Sequence, residues 1–232
     1  MAKQKFLVFT YFDDNCHHGC SFRDIAKITT QSFKDYCDIN SYDFIIKDSN
    51  FTPGRTIGWT KFEIFLENLN KYDWIFYLEA DSMIMNETIR LENLVDNNYN
   101  IIISQTSDGG LSCGPMFIKS SDWSKEFCKK MLSKTEYYSN PMVEQSAIND
   151  EIRNNEETKK HCRINNLRMF NSFYHQFHPE NQYKPGDFII HGAGQSNSYR
   201  AALFTFLKDK IIKIPNYKIP YKPFLNIGDE NL

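Results

Sequence analysis

Residues 72–86 read Tyr72-Asp73-Trp74-Ile75-Phe76-Tyr77-Leu78-Glu79-Ala80-Asp81-Ser82-Met83-Ile84-Met85-Asn86. Trp74 to Leu78 is an unbroken apolar run rich in aromatic and β-branched side chains, without Gly or Pro, which is the pattern of a central strand buried on both faces. Two carboxylates, Glu79 and Asp81, follow it, separated by the small residue Ala80. Ligands of open α/β sheets bind beyond the carboxyl ends of the strands, so this reading turns both acids toward a ligand crevice. An acid-x-acid pair on such a turn suits a hard divalent cation, and that cation can neutralise a phosphate-bearing substrate. The plainer alternative is a solvated turn that happens to carry two acids.

The flanking segments supply the rest of an α/β domain. Lys5 to Tyr11 reads as a strand, Phe12 to Gly19 as a polar loop, Ser21 as the cap of a helix running to about Tyr36, and Ser41 to Lys47 as a second strand. That order is a βαβ unit with a parallel pair and a right-handed crossover. Phe62, Phe65, Leu66 and Leu69 give Trp59 to Leu69 the face of an amphipathic helix. Downstream come a short helix around Leu91 to Val95, a strand over Asn100 to Ser104, and a Gly-rich loop from Asp108 to Pro115. A strand over Met116 to Lys119 and a helix over Asp122 to Leu132 follow. Pro141 opens another helix that presents Glu144 and Gln145 in its first turn. Asn154 to Lys160 reads as a charged, solvated connector, the stretch Gly186 to Gly194 as one more strand ending in a Gly-flanked His191, and Tyr199 to Lys208 as a helix. The fold class is α/β, with a mixed, mostly parallel central sheet flanked by helices, in one domain over 1–232.

With a net charge of −2 the chain has no global basic field, which argues against nucleic acid as a partner. The start, Met1-Ala-Lys-Gln-Lys5, leads directly into the first strand and resembles no secretory signal. No run approaches the roughly 18 apolar residues of a membrane span, so a soluble cytoplasmic protein is expected. The 6 cysteines form no paired framework and read as free thiols. Cys16-His17-His18-Gly19-Cys20 has metal-capable side chains, but a closed zinc site needs a second ligand pair, and a polar loop is the reading taken. The aromatic content is 15%. Trp59, Trp74 and Trp123 are assigned to the core, whereas Tyr137, Tyr138, Phe173, Tyr174, His175 and Phe177 lie in polar stretches where they can form a stacking platform.

His191 ends the run Phe188-Ile-Ile much as Asp81 follows its own strand, and Gly192 and Gly194 beside it allow a phosphate or metal to approach the backbone. Two acids and one imidazole make a mixed oxygen and nitrogen set suited to Mn²⁺ or a similar ion.

The order of short motifs then resembles a known family. Trp59-x-Lys61, the stretch through Glu79-Ala-Asp81, Gly110-Leu-Ser-Cys-Gly114, Glu144-Gln145-x-Ala147 and Asp187-Phe-Ile-Ile-His191-x-Ala-Gly194 together look like glycosyltransferase family 34 over roughly residues 5 to 205. The resemblance implies a GT-A, Rossmann-like nucleotide-sugar-binding fold. It also implies retaining transfer of a hexose or pentose from a nucleotide-diphosphate sugar, UDP-sugar favoured, to a glycan acceptor with Mn²⁺ or Mg²⁺ as cofactor. It assigns about 1–105 to a nucleotide-binding half, about 106–210 to an acceptor and catalytic half, and 211–232 to a tail.

By the same resemblance, Asp81 and His191 hold the metal, with Glu79 in place of the family's first Asp. Thr10, Tyr11 and Ala80 border the nucleotide, and Lys61 lies near the donor phosphate or sugar, a charge that Lys218 or Lys222 of the tail can also supply. Ser112 stands where an Asn often contacts the donor sugar. Glu144 and Gln145 face the reacting sugar. Two other readings use the same acids: a nucleotidyltransferase or phosphohydrolase, and a non-catalytic nucleotide-sugar-binding protein. The loop after the first strand, Asp13-Asp-Asn-Cys-His-His18, has no Lys or Arg to cradle a triphosphate, which counts against the first of these.

Overall fold

A computed structural model describes residues 4–14, 16–17, 20–106, 109–138, 143–174, 179–215 and 225–226 of the chain. β1 (Phe6–Tyr11) is buried at every position. A two-stranded ladder of β2 (Cys16–His17) and β3 (Cys20–Ser21) leads into α1 (Phe22–Asn40). Ser21 caps this helix by accepting from the Arg23 N–H, and Ser41 ends it in the left-handed region (φ 60°). β4 (Asp43–Lys47) returns parallel to β1, as the βαβ reading requires. α2 (Thr60–Asn68) then delivers the chain to β5 (Trp74–Tyr77) and the short β6 (Ser82–Ile84).

β7 (Ile101–Gln105), β8 (Leu111–Lys119), α3 (Asp122–Ser133), α4 (Val143–Asn154) and α5 (Glu156–Lys160) follow. The chain continues through β9 (Cys162–Asn166), β10 (Ser172–Phe173), β11 (Ile189–His191), α6 (Asn197–Leu207) and β12 (Leu225–Asn226). The main sheet has 7 strands in the order β12-β4-β1-β5-β8-β7-β9, and β8 alone runs against its neighbours. A smaller sheet joins β10, β11 and β6.

Alternation along β1 divides the core. Leu7, Phe9 and Tyr11 face a layer built on α2, α3 and α4, while Phe6 and Val8 face Phe33 and Tyr36 of α1. Phe76 stacks on Phe117 at 3.9 Å and takes the edge of Phe170, so the central strands are locked by aromatic contacts as well as by area burial. Among the described residues no helix is long and apolar enough to cross a membrane.

Three expectations are corrected. Most of the Gly-rich segment before Pro115 belongs to β8, because the backbone from Leu111 finds partners in β7. The pairing slips between Ile102 and Ser104, and that irregularity lets Pro115, which has no N–H, sit within a central strand. The charged connector is a short helix, since the Asn155 side chain caps it by accepting from the N–H groups of Glu157 and Thr158. Leu91 to Asn93 forms only a 3-10 turn.

Candidate functional site

The small sheet brings the two distant metal-capable segments together. The Ser82 N–H and hydroxyl both donate to the Glu79 carbonyl, at 3.0 and 2.6 Å, which closes the turn between the two acids. β6 then pairs antiparallel with β11 so that Ser82 lies opposite His191. The Gly192 N–H donates to the Asp81 carbonyl at 2.8 Å. Consequently His191 Nε2 lies 3.3 Å from Asp81 Oδ1 and 3.6 Å from Glu79 Oε2. One ligand atom from each of Glu79, Asp81 and His191 falls within 4.8 Å of the others.

Two residues that no sequence motif singled out contact this cluster. Asn171, fully buried, has Oδ1 at 2.8 Å from His191 Nδ1 and donates through Nδ2 to the hydroxyls of Ser112 at 2.7 Å and Ser104 at 3.3 Å. An amide oxygen only accepts, so Nδ1 carries the proton and Nε2 is the nitrogen presented to the acids. Arg200, on the first turn of α6, places Nη2 at 2.9 Å from Asp81 Oδ2. Its Nε donates to the Gly192 carbonyl and its Nη1 to Asn197 Oδ1, each at 2.9 Å.

Burial disfavours charge on both Asp81 and His191, but their mutual attraction wins. The Asp81 carboxylate, assisted by Glu79, lifts His191 to about 9, and His191 with Arg200 holds Asp81 down to about 2. Apart from this ion-pair contact with Nε2 at 3.3 Å, Asp81 Oδ1 is buried without a hydrogen-bond donor. A buried carboxylate oxygen without a donor is costly, and a divalent cation between Glu79, Asp81 and His191 would satisfy it. The residues therefore fit such an ion.

A cleft of about 400 Å³ opens on this cluster, lined in part by Ser112, Gln145, Phe173 and Arg200. A second cavity of about 170 Å³ is lined by Tyr11, Phe12, Tyr77, Ala80 and Glu144, and Glu79 borders both. Gln145 Oε1 accepts from the Cys113 N–H at 3.3 Å, which orients the carboxamide at the cleft wall. Burial pushes the Cys113 thiol up to about 12, so it is no nucleophile at neutral pH.

Several candidates are placed differently from expectation. Lys61 lines neither cavity: it is fully buried, with Nζ at 2.8 Å from Glu144 Oε1, donating to the Cys113 carbonyl at 2.9 Å and 4.5 Å from the centre of the Tyr77 ring. Burial opposes its charge, and Glu144 more than restores it, raising Lys61 above the ordinary lysine value. Glu144 accordingly faces the smaller cavity, packed so closely on Gly58 that a Cβ there would lie 2.0 Å from Oε2. Thr10 is buried and borders neither cavity.

Gly192 has its N–H and carbonyl taken by Asp81 and Arg200, whereas Gly194, at φ 72°, does line the cleft. Of the aromatic platform, Phe173 reaches the cleft, edge-on to His191 at 5.6 Å, while Tyr137 and Tyr138 pack on the main core. His175, Phe177, Lys218 and Lys222 lie outside the described residues, as do the side chains of Cys16 to Cys20.

A model of the galactosyl transferase GMA12/MNN10 family, glycosyltransferase family 34, matches residues 2–99 and 93–200. Among solved structures, a glycosyltransferase involved in the glycosylation of the major capsid of PBCV-1 is 14% identical with a TM-score of 0.69, covering 87% of this chain and 99% of the other. Galactosyltransferase LgtC, solved with donor and acceptor sugar analogues, is 14% identical with a TM-score of 0.60, covering 90% and 98%. Glycosyltransferase GlyE of Streptococcus pneumoniae TIGR4 is 15% identical with a TM-score of 0.58, and the match covers 89% of this chain but 60% of GlyE. At these identities the likeness establishes the architecture, which is the GT-A fold. No protein of curated function matches in sequence.

Proposed function

The chain belongs to the galactosyl transferase GMA12/MNN10 family, and from that premise we propose that it transfers a hexose or pentose from a nucleotide-diphosphate sugar, a UDP-sugar in the first instance, to a glycan acceptor. The observation that carries this reading is Asp81 Oδ1, buried and without a hydrogen bond, facing His191 and Glu79 on the wall of the larger cleft. Glu79, Asp81 and His191 hold Mn²⁺ or Mg²⁺, which when bound supplies Lewis-acid stabilisation of the departing diphosphate.

The protein's own groups do the positioning. Tyr11 and Ala80 border the nucleoside in the smaller cavity, in keeping with a nucleotide-binding half over about 1–105. Ser112 and Gln145 orient the donor sugar across the larger cleft, with Phe173 on the acceptor side. Transfer retains the anomeric configuration by a front-face route in which the leaving phosphate takes the acceptor hydroxyl's proton. Glu144 supports that route, because its ion pair with Lys61 removes it as a free nucleophile.

The test is a panel of UDP- and GDP-sugars with Mn²⁺ and the purified protein, followed by turnover and by binding. Transfer or slow donor hydrolysis is expected with at least one donor. Asp81→Asn, which preserves shape, lowers that rate by at least roughly a hundredfold while the circular dichroism spectrum stays native. Neither turnover nor binding across the panel sinks the reading.

A further inference from the structure

The larger cleft is short of positive charge. Its described lining holds two carboxylates, Glu79 and Asp81, and one imidazole, and Arg200 is the only Lys or Arg among them. The lysine that the sequence placed near the donor is locked against Glu144 and the Cys113 carbonyl. Any diphosphate entering this cleft meets Arg200 as the one permanent cation the described wall provides.

Arg200 is also built to keep one hand free. Of the five N–H groups of a guanidinium, one on each nitrogen is engaged, by Asp81 Oδ2, the Gly192 carbonyl and Asn197 Oδ1. That leaves one N–H on Nη1 and one on Nη2, the two nitrogens whose fork geometry matches phosphate oxygens. The side chain lines the cleft and is 16% exposed.

We propose that Arg200 binds the donor's diphosphate directly, and that the same charge, held against Asp81, keeps the bare cation site weak until that anion arrives. The inference rests on the glycosyltransferase reading above and assigns a residue and an order of affinities that reading does not contain. The charge argument is short. Arg200 adds one positive charge beside a divalent cation and one positive charge beside a diphosphate, and the two effects have opposite signs. The segment around Asp81 does not need Arg200 to stay in place, because β6 is paired with β11 and the Asp81 carbonyl is bonded to the Gly192 N–H.

The experiment compares wild type, Arg200→Gln and Arg200→Lys by calorimetry, with Mn²⁺ alone and then with UDP or GDP at saturating Mn²⁺. In Arg200→Gln, Mn²⁺ alone binds roughly tenfold tighter while the nucleotide binds roughly tenfold weaker, by a Coulomb estimate with the cleft open to solvent screening. Arg200→Lys keeps the charge and holds Mn²⁺ affinity near wild type. A merely structural clamp gives a different pattern: Arg200→Gln and Arg200→Lys both weaken Mn²⁺ and nucleotide together, and that result overturns the proposal. If Arg200→Gln fails to fold by thermal melting, Arg200→Lys decides alone, since lysine cannot reach three acceptors at once and a clamp would lose Mn²⁺ binding. Wild-type protein that takes up Mn²⁺ but neither nucleotide overturns the glycosyltransferase reading itself, and the assignment of Arg200 with it.

Discussion

Lys61 and Glu144 form one buried charged pair and Asp81 and His191 another, but they are completed in different ways. The Lys61 ammonium has a carboxylate at 2.8 Å, a carbonyl at 2.9 Å and a ring face at 4.5 Å, and the carboxylate it grips is seated on Gly58. Everything it needs comes from within the protein. Around Asp81, Arg200 is as close at 2.9 Å, but the His191 contact at Oδ1 is 3.3 Å, that oxygen is left without a donor, and the cluster opens on a cleft. A buried charge whose partners are all internal is part of the scaffold. One that is incomplete beside two other metal-capable groups on a cleft wall marks where a ligand belongs, whereas Glu87, whose Oε2 also lacks a donor, pairs with Lys213 and borders neither cavity.

The comparison breaks most visibly at Lys61. Removing one member of a buried pair strands the other, so Lys61→Met is expected to cost about 3–5 kcal/mol, read by urea denaturation. The double variant Lys61→Met with Glu144→Leu recovers most of that loss, because two apolar side chains leave no charge stranded. Mn²⁺ affinity of Lys61→Met stays at the wild-type value. A Lys61→Met protein that melts like wild type but no longer binds nucleotide would move Lys61 out of the scaffold and into the donor site.

Much of this contrast was hidden in the sequence, for identifiable reasons. Runs such as Trp74 to Leu78 and the helical spacing of Phe62, Phe65 and Leu69 announce elements because burial requires those periods, and β1, β5 and α2 stand close to where the pattern puts them. Asp81 and His191 were legible because each is joined to a strand, with glycines beside the histidine. Lys61 misled because a lysine beside motif residues looks the same whether it faces a cleft or a carboxylate. Asn171 and Arg200 carry no local signal: their importance comes from the pairing of β11 with β6 and β10 and from the docking of α6, which single-residue patterns do not record. β9 escaped because Cys-Arg-Ile-Asn-Asn alternates weakly, and β9 lies at the edge of the sheet.

The incomplete pair should also reveal itself through pH. In the cation-free protein His191 is raised from the ordinary 6.5 to about 9, chiefly by Asp81 against the opposing effect of burial. A folded-state value above the unfolded one contributes stability that is fully present below pH 6.5 and is lost as pH rises through about 9. The window is therefore the alkaline side of neutrality. Denaturant midpoints of metal-free wild type should fall across that range, and those of His191→Gln should stay nearly flat. A flat wild-type profile would mean that the imidazole is already neutral, and that the Asp81 cluster is no more charged than it needs to be.

The smallest effect tests how far the incomplete pair depends on support from outside it. Asn171 is not itself a cation ligand, but it fixes which His191 nitrogen faces the acids and joins that histidine to Ser112, which also lines the cleft. Losing such a partner typically costs 10–100-fold in metal affinity, or about 1.4–2.8 kcal/mol, so Asn171→Ala should weaken Mn²⁺ binding by that factor in calorimetry. Asn171→Asp still offers Nδ1 an acceptor, and the serine hydroxyls can turn to donate, so its Mn²⁺ affinity should match or exceed that of wild type. Unchanged affinity in Asn171→Ala would show that strand pairing with β6 and β10 is enough to aim the imidazole. The cation site would then be as self-supporting as the Lys61 pair, differing from it only in the one oxygen left bare.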